Sequence, residues 1–441
     1  MRKLFFWICG LLAVLAGQPA SAATQPAASE PDFNLAYVLA TASYCAYAVG
    51  AIDSDGEKLA DEGRQRAFNC LEAAVKADPG HLAALKVEAQ DVEAYFSPAK
   101  PQNAYLLIRE KNGVILAFRG TLTLPISPGK AKHNGLVKEA IDNFNLAVLK
   151  AFESYLRDWA NNIVAFADER DRHAGFDHSW QELKEHLKID CGPSAVESCS
   201  KFRSFITAMG ASRDQKLFLT GHSKGGALAT LAALDIPEFF EHAPQTTVYT
   251  FAAPKSLSEE GAASAASATA DLWRFEDERD VVPTLPMDST GFPVTLDVPL
   301  TDWKMAPYAH VGRRVLFHEN EKPEIFPEPV NGVDPPGDLK RLKTILRGGA
   351  EPAANNSGGE KGLLNRILSA GAGGCRRFID THFSVFSSVQ AMARAGKRAQ
   401  PGQGGEEEAA KKSFFFSGVS NAEGEILWGY GQWCSLLYSP R

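Results

Sequence analysis

Leu217-Phe218-Leu219-Thr220-Gly221-His222-Ser223-Lys224-Gly225-Gly226-Ala227 is the stretch that decides how this chain is read. Leu217 to Thr220 reads as a buried strand, and Ala227 to Leu234 as a helix of small residues, with a tight turn between them. Gly221-His222-Ser223-Lys224-Gly225 fits the G-x-S-x-G pattern in the strand–turn–helix setting that gives it meaning. A serine on a strained turn pushes its hydroxyl beyond the sheet edge. Glycines at 221 and 225 let strand and helix close around it. The alternative is an ordinary Gly-rich turn carrying an ordinary serine.

Outward from this turn, the N-terminus reads as a secretory signal. Arg2 and Lys3 precede an apolar run from Leu4 to Ala16, and Ala20-Ser21-Ala22 offers a small-residue cleavage site. Residues 1–22 are read as the signal peptide, with an uncleaved anchor as the alternative, and the location as secreted or periplasmic. Residues 23–441 are read as one catalytic domain with insertions at 122–157 and 320–374. The formal charge is −7, and removing Arg2 and Lys3 leaves −9. That balance disfavours a nucleic-acid partner. After the signal, no apolar run is long enough for a transmembrane helix.

Of seven cysteines, Cys9 falls in the signal, leaving Cys45, Cys70, Cys191, Cys199, Cys375 and Cys434. An even number in an exported chain implies disulfides, and six cysteines allow about fifteen pairings. Proximity favours Cys45–Cys70 and Cys191–Cys199, leaving Cys375–Cys434; free buried thiols are the alternative. The Cys and His spacings give no zinc pattern, and neither metal nor organic cofactor is expected.

In chain order, Leu35–Ala48 and Arg64–Ala77 read as helices, the second stopped by Asp78-Pro79-Gly80. Val87–Phe96 reads as a strand. Ala104–Ile108 and Val114–Phe118 form a hairpin about Lys111-Asn112-Gly113. Phe118-Arg119-Gly120-Thr121 ends that hairpin as either an oxyanion loop, with Thr121 as donor, or a plain strand end. Segment 122–157 reads as a lid or a packed helix pair. Further strands are expected at 163–166, 246–251, 271–275 and 314–317. Helices are expected at 179–187, 202–209 and 363–368. Residues 191–200, 256–269 and 395–412 read as small-residue or polar segments. Order resumes at Cys375–Phe386, and 413–416 and 426–438 read as edge strands. Strands alternating with helices imply an α/β fold with a mostly parallel central sheet flanked by helices.

A serine needs a base, a carboxylate to orient the base, and oxyanion donors; in the α/β-hydrolase order the carboxylate and then the histidine follow the serine. Phe118-Arg119-Gly120-Thr121, Asp158-Trp159, His173-Ala174-Gly175-Phe176, the elbow through Ala229, Tyr249-Thr250-Phe251 and Asp280-Val281-Val282-Pro283 occur in that sequence. The ordered set resembles the class 3, fungal-type lipases of the α/β-hydrolase superfamily over roughly 104–317 and 375–390. The resemblance implies Ser223 as nucleophile and Asp280 as the orienting carboxylate. It implies His382, in Ile379-Asp380-Thr381-His382-Phe383-Ser384-Val385-Phe386, as base, with His310 in Tyr308-Ala309-His310-Val311-Gly312 as the alternative. Thr121 and the backbone N–H of Lys224 are the expected oxyanion donors. Glu276, Asp277 and Glu278 are expected to be solvated loop charges, and His222 to point into packing. Two features depart from the family pattern: Lys224 stands where leucine is usual, which implies a less greasy rim, and both insertions are long.

The implied activity is secreted ester hydrolysis of acylglycerols or related lipids, with transient contact with a lipid interface. Phospholipase A1 or short-chain esterase activity is the nearest alternative. From another class, the alternative is a non-catalytic exported binding protein that kept the fold.

Overall fold

The computed structural model describes residues 30–49, 59–85, 88–96, 103–110, 113–121, 171–188, 216–239, 244–269, 271–286, 307–319, 321–326 and 371–398. The chain divides into two compact units, Met1–Pro31 and Asp32–Arg441, and the fold below is that of the second. The signal peptide, segment 122–157, the elements expected at 163–166, 202–209 and 363–368, and everything after 398 lie outside the described residues. So do Cys191, Cys199 and Cys434.

Helix α1 (Phe33–Cys45) begins where the Asp32 carboxylate accepts from the backbone N–H groups of Asn34 and Leu35, at 2.9 and 3.1 Å. A 3-10 turn, Ala46–Ala48, extends it. Helix α2 (Leu59–Ala77) and the short α3 (Pro79–Leu82) follow. Strand β1 (Val92–Phe96) comes after a 3-10 turn at Ala89–Asp91, so the strand expected from Val87 starts later. β2 (Ala104–Glu110) and β3 (Gly113–Phe118) form the expected antiparallel hairpin. Next come α4 (Ala174–Lys188), β4 (Lys216–His222) and α5 (Lys224–Asp235). They are followed by β5 (Gln245–Phe251), β6 (Leu257–Ser258), α6 (Glu259–Ala265) and β7 (Leu272–Asp277). The last described elements are β8 (Tyr308–Ala309), β9 (Arg313–Phe317), β10 (Glu324–Phe326) and α7 (Gly371–Arg398).

Among the described residues, eight strands make the main sheet in the order β1-β2-β3-β4-β5-β7-β9-β10, and β6 and β8 pair separately. From β3 to β9 every neighbouring pair is parallel. The outer pairs β1–β2, β2–β3 and β9–β10 are antiparallel. Parallel strands are buried on both faces, and alternation assigns their side chains to two cores. Leu217 and Leu219 of β4 point into one core with α4 and α5, including Trp180, Leu183, Leu228 and Leu231. Phe218 points into the other, with α1, α2 and α7, including Leu39, Leu71, Phe383 and Phe386. Each such fully buried large side chain contributes about 1.5–3 kcal/mol. On α7 the buried positions Phe383, Phe386, Val389, Gln390 and Ala393 recur at helical spacing. Cys45, the last residue of α1, is disulfide-bonded to Cys70 of α2 as expected.

Three expectations change. Segment 256–269, read only as small residues, forms β6 and α6; Ser258 caps α6 by accepting from the Gly261 N–H at 3.0 Å. The start of the 320–374 insertion, where the sequence predicts only a helix at 363–368, holds a largely exposed strand. Glu324–Phe326 adds an antiparallel edge to β9, with Ile325 opposite Val315 and the Arg314 guanidinium 4.4 Å from the Phe326 ring. Finally, the ordered segment at Cys375–Phe386 is part of a 28-residue helix that runs through 398, beyond the loop start expected at 395.

Candidate active site

The site gathers at one end of the parallel sheet. Phe118 pairs with Gly221 and His222 with Phe251, in parallel register. The residues after β3, β4 and β7 therefore leave the sheet at the same edge, where ligands of open α/β sheets bind. After β3 comes Thr121, after β4 Ser223, and after β7 Asp280.

Ser223 sits between strand and helix with φ 56° and ψ −131°, a left-handed conformation that a serine adopts at a cost of about 1–3 kcal/mol. Its N–H donates to the Phe251 carbonyl at 2.9 Å, and its own carbonyl accepts from Gly226 N–H at 2.9 Å. A Cβ at Gly221 would come within 2.2 Å of the Gly225 backbone, and one at Gly225 within 2.1 Å of the Phe118 carbonyl oxygen. The turn thus closes only with hydrogen at both positions. Ser223 stays half-buried while its neighbours His222 and Lys224 are buried.

The expected base and carboxylate meet. His382 Nδ1 is 2.8 Å from Asp280 Oδ2, and neither side chain is exposed beyond 9%. The other carboxylate oxygen of Asp280 accepts from the Val282 N–H at 3.0 Å. A carboxylate can only accept here, so Nδ1 carries the proton and Nε2 is left as the basic nitrogen. His382 lies against the elbow, its ring centroid 4.4 Å from that of His222. His310 is bonded elsewhere: its Nε2–H donates to the Pro283 carbonyl at 2.7 Å, and Glu276 lies 4.0 Å away. Thr121 is buried in the loop after β3. Lys224 opens α5, at the positive end of the helix dipole.

Two expectations about charge are corrected. Glu276 and Asp277 are not solvated: both lie in β7 and are buried. Glu276 accepts from the Arg274 guanidinium at 2.6 Å. Asp277 accepts from Arg279, and from the Ser384 hydroxyl at 2.7 Å. Burial pushes the Asp277 carboxyl up, but those bonds outweigh it and hold it below its ordinary 3.8. Charge partners inside the fold explain why a run of acidic residues can be interior, and the partner on α7 is invisible in the local sequence. Lys224 does not form a charged rim either. It is 1% exposed, and its ammonium donates to Asn103 Oδ1 at 3.1 Å, while the Asn103 amide donates to Glu182 at 2.6 Å. His222 packs inward as expected; burial, and then the nearby His382, hold it well below the ordinary histidine range. Tyr47 was missed as a neighbour of the site. Its hydroxyl is 2.7 Å from His222 Nδ1, and nothing in the sequence around it marks it.

Among the described residues, no cluster of three or more His, Cys, Asp or Glu could hold a metal ion, and no helix is long and apolar enough to cross a membrane.

Residues 149–290 match the family described as lipase (class 3). That span contains Ser223 and Asp280 but not Thr121 or His382. Secreted mono- and diacylglycerol lipase A from Penicillium cyclopium, and the protein of that name from Penicillium camembertii, are each 27% identical over 161 residues. The matched region is 35% of this chain and 47% of each relative, so the chain spans about half the length of the curated relatives it matches. Among solved structures, a lipase from Rhizopus microsporus var. chinensis is 18% identical with a TM-score of 0.37, covering 71% of this chain and 87% of its own. The triacylglyceride lipase of Rhizomucor miehei is 17% identical with a TM-score of 0.38, covering 68% and 84%. The family match is centred on the elbow that organises the sheet, so the likeness to the class 3 lipases falls on the stretch that carries Ser223.

Proposed function

We propose that the chain is a serine ester hydrolase that cleaves acylglycerols or related lipid esters through an acyl-enzyme at Ser223. The observation that carries this is the buried His382–Asp280 pair packed against a strained serine turn. His382 Nε2 takes the proton from Ser223 Oγ as the oxygen attacks the ester carbonyl. The tetrahedral oxyanion accepts from the N–H groups of Thr121 and Lys224. His382 then returns the proton to the leaving alcohol. In the second half, Nε2 removes a proton from water, hydroxide attacks the acyl-enzyme, and the acid leaves as Ser223 regains its proton. Asp280 keeps Nδ1–H fixed and stabilises the imidazolium of each half.

The chemistry of the matched relatives makes partial acylglycerols the first substrates to test. Export through a cleaved 1–22 signal, a single domain from residue 23 with insertions at 122–157 and 320–374, and contact with a lipid surface belong to the same proposal. A fluorophosphonate should label the protein, and Ser223→Ala should abolish both the label and hydrolysis of p-nitrophenyl esters. Graded chain lengths, monoacylglycerol and phosphatidylcholine then separate acylglycerol lipase from short-chain esterase and phospholipase A1. A wild-type protein that takes no label and hydrolyses none of these would leave the exported binding protein as the better account.

A further inference from the structure

The residue before the nucleophile reaches across to the residue that carries the base. His222 closes β4, is fully buried, and places Nε2 at 3.0 Å from the carbonyl oxygen of His382. Its other nitrogen, Nδ1, lies 2.7 Å from the hydroxyl of Tyr47. A carbonyl oxygen only accepts, so Nε2 carries the hydrogen. Burial keeps His222 neutral, so Nδ1 is bare and accepts from Tyr47 O–H. Every proton in the chain is assigned: Tyr47 O–H to Nδ1, then Nε2–H to the His382 carbonyl.

We infer that Tyr47 and His222 are positioning residues, a hydrogen-bonded brace that fixes the main chain of His382 to the residue adjoining Ser223. The inference rests on the hydrolase reading above. Tyr47 also holds the third part of the site. Gly120, between Arg119 and Thr121, lies so close that an added Cβ would be 1.9 Å from the Tyr47 oxygen. Arg119 Nη1 donates to the Val49 carbonyl, two residues beyond Tyr47. The stretch Tyr47–Val49, just after α1, therefore braces the Thr121 loop, the elbow and the base helix together. Side-chain geometry near a reacting centre must hold within about 0.5 Å, and a displacement of about 1 Å costs on the order of 10²-fold in rate. The locked tautomer has a second consequence: Nε2 of His222 is committed as a donor, so it cannot compete with His382 for the serine proton.

The test compares Tyr47→Phe, His222→Leu and His222→Gln in the full chain, with kcat and KM for p-nitrophenyl butyrate. Glutamine can donate to the His382 carbonyl and accept from Tyr47; leucine fills the space and does neither. His222→Leu should lower kcat by about 10²-fold and Tyr47→Phe by about tenfold, with KM held within about twofold, and His222→Gln should recover most of the loss. If His222→Leu does not fold, Tyr47→Phe, which keeps the ring, carries the comparison. Independently of turnover, the ¹⁵N spectrum of His222 at neutral pH should show a protonated Nε2 and a bare Nδ1. Wild-type rates in Tyr47→Phe and His222→Leu would overturn the brace, as would a proton on Nδ1. Fluorophosphonate labelling of the wild type and its loss in Ser223→Ala report on the hydrolase reading separately; if that reading fails, the nitrogen spectrum still decides the hydrogen-bonded chain.

Discussion

Replacing Asp280 with asparagine keeps the shape of the side chain and inverts the logic of the site. Asp280 is fully buried and accepts twice, from His382 Nδ1–H at 2.8 Å and from Val282 N–H at 3.0 Å. An asparagine carbonyl can keep only one of these donors. If it keeps Val282 N–H, the amide NH₂ faces Nδ1, and the imidazole must turn that nitrogen into an acceptor. The proton then moves to Nε2, the nitrogen that should receive the serine proton. The flipped amide would keep the correct tautomer but set NH₂ against the Val282 N–H, and a buried donor left without an acceptor costs about 1–3 kcal/mol. The wrong tautomer is favoured. In serine hydrolases that substitution removes about 10⁴ from kcat, equivalent to about 5.5 kcal/mol of transition-state stabilisation. The expected result for Asp280→Asn is a loss of that size in kcat with KM and the unfolding midpoint little changed. His382→Ala should lose as much or more, while His310→Ala should keep kcat within about tenfold. An Asp280→Asn enzyme within tenfold of wild type, beside an inactive His310→Ala, would refute the assignment and move the base to position 310.

The disulfide closes a loop with a separation of 25 residues, so Cys70→Ser should lower unfolding free energy by about 3.5 kcal/mol in urea titration. An unchanged midpoint would mean that the link adds nothing. Two glycines make opposite predictions. Gly225→Ala drives a Cβ to 2.1 Å from the Phe118 oxygen and should cost at least about 1–3 kcal/mol and most activity. Gly396→Ala, on α7 with nothing within 4 Å of the new Cβ, should stabilise by about 0.4–1 kcal/mol. Equal melting shifts for the two would contradict the packing described. His186 is stacked on Tyr95, and burial pushes its pKa down to about 4. The unfolded chain takes up that proton near pH 6.5, so stability falls as pH drops from 6.5 toward 4; His186→Gln should flatten that slope, read from denaturation midpoints at successive pH values.

Much of the fold was legible because it is built from local patterns. The apolar run at Leu217–Leu219, the glycine spacing about Ser223 and the Asn112-Gly113 turn signal each report on residues a few positions apart. The ordered motif set also led to Asp280 and His382, although 102 positions separate them in the chain. What escaped depends on contacts across the fold. Glu276 and Asp277 look solvated in a run of acidic residues until Arg274 and Ser384 meet them inside. Lys224 looks like a surface charge until Asn103, reached from β2, takes its ammonium. Tyr47 lies 175 positions from His222, and no pattern around either one names the other. Periodicity also failed where glycines dominate: Gly371 to Gly374 hid the start of a long helix that tertiary packing stabilises.

Carrying the proposed base on α7 makes its aim a matter of helical phase. Each residue turns a helix by about 100° and advances it by about 1.5 Å. His382 faces Asp280, Phe383 and Phe386 face the core, and Ser384 reaches Asp277, all from one rigid rod. A single residue inserted between Ser384 and His382 would swing the imidazole away from its carboxylate while the rest of the rod stayed seated. A base carried on a loop could absorb such an insertion. This one would be disarmed by it, so length changes should be tolerated only where the chain lies outside the rod.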